Sequence, residues 1–212
     1  MSKLKSNDAI AILFHPKKTI KKIVETNPKK GFYLLASLSI FLSFVFSFKE
    51  FVISPWYYTL LGLIFAAIVS PVIGVIGYYL QGFLYYVTGK ILKGKAPAVN
   101  IRAVMAWASI PTIYAYSLAI VIFLFLFIIS GNLAYALNPY FIIFQTLLLF
   151  IGPVWSMVIN FAGIMQVQKF SLLRAIANAI LAVLFAVLLV LGIGIVVAIF
   201  VALLKLAIHL IR

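Results

Sequence analysis

Residues 56–92 read WYYTLLGLIFAAIVSPVIGVIGYYLQGFLYYVTGKIL. The stretch stays apolar well beyond the roughly 20 residues that carry a helix across a bilayer core. Its first charge is Lys90, and Pro71 with Gly62, Gly74, Gly77, Gly82 and Gly89 stand where a soluble helix would carry polar faces. A soluble fold cannot hide such a segment. It predicts a long central transmembrane helix, closely approached by its neighbours.

The rest of the chain agrees. Hydrophobic residues fill 66% of the 212 positions and charged residues 9%, with a mean hydropathy of +1.24. Soluble proteins run at about 45–50% and 25%. An all-α, polytopic integral membrane protein follows. The net charge of +14 arises from 17 Lys+Arg against 3 Asp+Glu. At the ends of spans such residues set orientation, so they do not point to nucleic acid. The absence of cysteine removes disulfides and thiolate metal sites. The opening residues carry no long apolar run and no small-residue cleavage pattern, so they do not read as a cleavable signal peptide.

Working outward, the apolar runs predict five spans, at 31–48, 56–88, 101–129, 139–166 and 172–204, in a membrane domain covering 31–212. Pro111 interrupts the third, and Gly152-Pro153 kinks or breaks the fourth. The fifth outruns the bilayer and continues as helix towards His209 or Arg212. Residues 1–30 form a basic preamble in which Pro16 opens a helix. There Ile20, Ile23 and Val24 share one face, flanked by Lys17, Lys18, Lys21 and Lys22. That is the pattern of a short amphipathic helix lying on an anionic membrane surface.

Basic residues then assign sides. Lys29 and Lys30 join the first cluster, followed by Lys90, Lys93, Lys95 and Arg102, and by Lys169 and Arg174. The opposite side receives Lys49 offset by Glu50, nothing over 130–138, and Lys205 with Arg212. The bias places the N-terminus in the cytoplasm and the C-terminus outside. Pro71 leading to Arg102, and Pro153 leading to Arg174, also suggest two helical hairpins of matching sense, which would make a parallel repeat.

The search for catalytic residues comes back empty. Asp8, Glu25 and Glu50 all lie outside the spans, and His15 and His209 fall on opposite sides of the membrane. No metal site and no cofactor site can be assembled from them. Ser70, Ser109 and Ser156 have no base at their depth. What remains is uncharged. Ala66, Ser70 and Gly74 repeat every four residues with Gly77 beside them, a seam for helix packing. Gln81, Ser156, Asn160 and Asn178 either bond helix to helix or line a polar cavity.

Three segments carry a resemblance: LFHPKKTIKKIVETNP before the first span, RAVMAWASIP after the basic loop, and WSMVINFAGIMQVQKFSLLRAIANAI around the last return. In their order and spacing they resemble Yip1-domain membrane proteins. The resemblance implies five spans, a cytoplasmic N-terminus and structural roles for Pro111 and Trp155. Eukaryotic relatives act in vesicle traffic, associate with one another and contact prenylated Rab-type GTPases through cytoplasmic regions. This chain has no long polar region of that kind and is more similar to the compact prokaryotic branch, which implies a plasma membrane.

Two functions are therefore expected. One is a non-enzymatic protein that organises or binds protein or lipid partners at the cytoplasmic face, with anionic lipid or a second copy of the chain among them. Its lipid contacts would be Lys17, Lys18, Lys21, Lys22, Lys90, Lys93, Lys95, Arg102, Lys169 and Arg174. The other is a small transporter or channel with an uncharged polar path between the hairpins, built around Gln81, Ser156, Asn160 and Asn178.

Overall fold

The computed structural model describes residues 6–47, 56–130 and 139–211. The expectations resting on Lys49, Glu50, the uncharged stretch at 131–138 and Arg212 lie outside these residues. Helix α1 (Ser6–Phe14) is followed by α2 (Pro16–Thr26), α3 (Phe32–Ser47) and α4 (Trp56–Ile91). Then come α5 (Ala98–Ala108), α6 (Ile110–Ser130), α7 (Pro139–Gln168) and α8 (Leu172–Ile211). Pro16 occupies the first turn of α2, where its missing N–H costs nothing, and Asn27 ends the helix in an extended conformation.

Among the described residues, four stretches are long and apolar enough to cross a membrane: Leu60–Ile91, Ala98–Leu126, Pro139–Gln168 and Leu172–Leu203. The expected first span is shorter. Helix α3 holds 16 residues, about 24 Å at 1.5 Å each, against a hydrocarbon core of about 30 Å. The third predicted span is divided where expected. Pro111 supplies no N–H, and the Ser109 N–H turns back to the Ala106 and Trp107 carbonyls, which separates α5 from α6. The fourth is not broken: α7 runs through Pro153 as one helix. Gly152 serves close packing instead, since a Cβ there would lie 2.6 Å from the Ala115 Cβ and 3.2 Å from the Pro111 carbonyl on α6.

The hub of the packing is α5 rather than the long α4. Ile101 and all six residues from Ala103 to Ala108 are buried, and Trp107 is the largest fully enclosed side chain. Ala103, Ala106 and Ala108 keep this helix thin, so that α1, α2, α3, α4 and α7 can all reach it. By contrast, α8 beyond Ala182 is apolar and exposed at nearly every position up to Leu203. Only lipid or another membrane segment satisfies such a surface.

The amphipathic helix required the largest correction. The buried side of α2 consists of Thr19, Ile20 and Ile23, and it packs on α7 and α5, not on the bilayer. Val24 joins the same core from its edge. Burying Ile20 and Ile23 stabilises docking by about 1.5–3 kcal/mol each. Hydrophobic spacing states that a face must be covered and is silent about what covers it.

Candidate functional site

Two helix ends build the basic end of the molecule. Helix α4 stops with Lys93 in the left-handed region (φ 63°), and the Gly94 N–H reaches back to the Gly89 carbonyl at 2.7 Å. Helix α7 stops in the same way. Lys169 has φ 60°, and the Phe170 N–H meets the Met165 carbonyl at 3.1 Å. Both are bonds to the fifth residue back, the closure that satisfies orphan carbonyls at a helix C-terminus.

Gln168 locks the two ends together. Its side chain is 2% exposed, and its Oε1 accepts the Ala96 N–H at 3.0 Å. It lies against Gly89 and Gly94, where a Cβ on either glycine would run into its amide. Close by, the Thr88 hydroxyl donates to Asn178 Oδ1 at 2.6 Å in a fully buried contact between α4 and α8. Asn178 thus bonds helix to helix. Sequence reading missed Gln168 and Thr88. The available signal was a Gln one residue before the return, facing two glycines near the other return.

This lock brings Lys90, Lys93, Lys95, Lys169 and Arg174 to one end, all exposed. Lys90 lies 5.5 Å from the centre of the Tyr86 ring. Arg102 is set apart and half-buried: its stem passes over Gly82, and its guanidinium sits 4.4 Å from the Tyr79 ring. On α2, Lys17, Lys18 and Lys21 point outward, with Lys21 a loose 3.9 Å from Glu25. Lys22 is committed elsewhere, 2.8 Å from Asp8.

Asp8 is the clamp of the N-terminal helices. It is 4% exposed and holds Lys22 and Lys30 at 2.8 Å each. The hydrogen bonds from Lys22 and Lys30 lower its pKa below 3.8, against an opposing effect of burial. Two indoles complete the attachment. Trp107 donates to the Lys30 carbonyl at 2.9 Å, and Trp155 donates to the Leu13 carbonyl at 3.2 Å. Because the carboxyl is more acidic in the folded protein, its contribution is fully present above pH 3.8 and is lost as pH falls through the lower folded value. Asp8→Asn should therefore melt below wild type at pH 7, and the gap should close as pH is taken below about 3.8. A gap unchanged across that range, followed by circular dichroism in detergent, would show that the ion pairs do not hold the segment.

The uncharged residues divide. Ala66, Ser70 and Gly74 are buried, and a Cβ on Gly74 would run into the Ala36 carbonyl of α3. Gly77 is exposed with open space around it. It falls off the buried row because that row repeats at four residues, not three. Gln81, Ser156 and Asn160 line one cavity of about 380 Å³ between α3, α4, α5, α6 and α7. Ser156 is partly engaged there, sharing a 2.7 Å bond with the Thr112 hydroxyl and accepting the Thr112 N–H at 3.2 Å. Asn178 does not line this cavity.

Among the described residues no group of three His, Asp or Glu side chains could hold a metal ion. No curated protein and no solved structure matches the chain. One family does, the Yip1 domain, over residues 10–194, which runs from α1 through α7 and into α8. The chain is therefore an integral, multi-pass membrane protein and belongs to the Yip1-domain family, whose members are non-catalytic.

Proposed function

We propose that this protein organises partners at the end where its lysines gather, and that anionic lipid is the ligand it holds there. The observation that carries the proposal is the Gln168 lock. It presents Lys90, Lys93, Lys95, Lys169 and Arg174 as one exposed basic group on a rigid base. Lys17, Lys18 and Lys21, exposed on the outward side of α2, supply further positive charge, whereas Arg102 stands apart on the Tyr79 ring. Each Lys or Arg near an anionic surface contributes on the order of 1 kcal/mol, an attraction that falls as salt rises. In this reading α3 spans the membrane together with the four longer stretches, the basic end is cytoplasmic, and the end of α8 lies outside.

The transport reading draws on the cavity of Gln81, Ser156 and Asn160. Asn178 bonds Thr88 and does not line that cavity, so among the described residues the polar lining does not extend to α8, and lipid organisation is favoured. The test uses the protein reconstituted in nanodiscs. Phosphatidylglycerol should be enriched around it over phosphatidylcholine at low salt, and the double variant Lys93→Asn, Lys169→Asn should reduce that enrichment severalfold. Asn removes the charge while tolerating the left-handed backbone. Equal enrichment of both lipids would sink the proposal. In sealed vesicles, cysteines at Lys95 and Lys205 should label from opposite faces; labelling from the same face would remove the five-span topology.

A further inference from the structure

A second cavity, about 360 Å³, lies against the first and shares Tyr85, Met157 and Asn160 with it. The two differ in chemistry. The first is lined by hydroxyls and amides, among them Ser39, Tyr78, Gln81, Ser109 and Asn160. The second, between α4, α7 and α8, is an open groove walled by Phe161 and by the exposed side chains of Ile180, Val183 and Leu184. Among the described residues, no Lys, Arg, His, Asp or Glu lines either one. Each is of the size of a small ligand pocket.

The boundary between them carries an unmet requirement. Asn160 Oδ1 is buried and, like Gln168 Nε2 and Asn178 Nδ2, has no hydrogen-bond partner among the described residues; of the three, Asn160 alone lines these cavities. An acceptor left so costs free energy until a donor reaches it. The other members of the boundary permit passage: Met157 is half exposed and flexible, and Tyr85 offers an aromatic wall.

We infer that the two cavities form one amphipathic site for an uncharged glyceride of the bilayer, with its free hydroxyl donating to Asn160 Oδ1. The glycerol head occupies the chamber of hydroxyls, and one acyl chain lies along Val183 and Leu184. A charged headgroup is disfavoured there, since nothing in the chamber would compensate its desolvation. A fully esterified glyceride is disfavoured as well, because it has no hydroxyl to donate. This site is separate from the basic end, and its occupant is of the opposite electrostatic kind.

The experiment is native mass spectrometry of the full-length protein in detergent, titrated separately with dioctanoylglycerol, trioctanoylglycerol and dioctanoyl-phosphatidylglycerol. Dioctanoylglycerol should be retained best. Asn160→Leu, which removes the acceptor at similar volume, should weaken its retention on the order of tenfold, the loss expected for one buried hydrogen bond. Val183→Trp should fill the apolar compartment and weaken it independently, from an exposed position whose change leaves the core intact. Lys93→Asn with Lys169→Asn should leave it unchanged, which separates this site from the anionic-lipid surface. Equal retention of the diglyceride and triglyceride, preference for the phosphatidylglycerol, or full retention by both cavity variants would each overturn the inference.

Discussion

Trp107→Ala should destabilise the protein by about 3–5 kcal/mol, the range for deleting a large buried aromatic side chain, and should loosen its N-terminal helices. Trp107 is fully enclosed in α5, the helix that most of the others touch. Its truncation leaves a cavity at the hub that the surrounding helices cannot close without moving together. It also removes the donor to the Lys30 carbonyl, one of the ties between the preamble and the bundle. Trypsin reports the second effect, because Lys17 to Lys30 offer it a dense set of sites in a segment otherwise held by Asp8 and Trp155. Cleavage there should accelerate in the alanine variant while the interior of the bundle stays protected. Trp107→Phe separates the contributions, since it keeps most of the bulk while removing the N–H. It should cost about 1–3 kcal/mol, the penalty for an unpaired buried acceptor. Wild-type melting and wild-type trypsin resistance in Trp107→Ala would mean that α5 is not the hub.

Gly74→Leu should nearly abolish the folded yield in detergent, while Gly77→Leu should leave it close to wild type. A Cβ on Gly74 would meet the Ala36 carbonyl oxygen and lie 2.9 Å from its carbon, both backbone atoms of α3 that have no rotamer to escape into. A leucine adds further atoms to that collision, so α3 and α4 must separate along the row that includes Ala66 and Ser70. Three residues along, Gly77 has nothing within 4 Å of the same construction. A leucine there points into space that lipid fills. Size-exclusion recovery of the two variants measures the contrast. Equal recovery at both positions would mean that α3 and α4 are not held by close backbone approach.

Several particulars of the fold were legible in the residues. The first residues of α4, α7 and α8 fall where their apolar runs begin, and the division at Pro111 follows from a missing donor. Asp8, Gln168 and Thr88 were not legible. Each acts through a partner 14 to 90 positions away, and a single sequence marks no such pair. The cavity was half legible: Gln81, Ser156 and Asn160 stood out as amides and a hydroxyl in apolar runs, but Asn178 looked the same and went elsewhere.

The sequence by itself determined that this is a helical membrane protein with its basic residues concentrated at successive helix ends. Transfer of a side chain from water to hydrocarbon depends on that side chain, so the sum along a segment requires no knowledge of neighbours. Tertiary structure alone decided what each face touches. The apolar side of α2 went to protein instead of lipid, Gly74 and Gly77 parted company, and Asn160 came to line a cavity while Asn178 took the Thr88 hydroxyl. Those outcomes depend on which helix arrives opposite, and apolar spacing is the same whether a neighbouring helix or an acyl chain covers it.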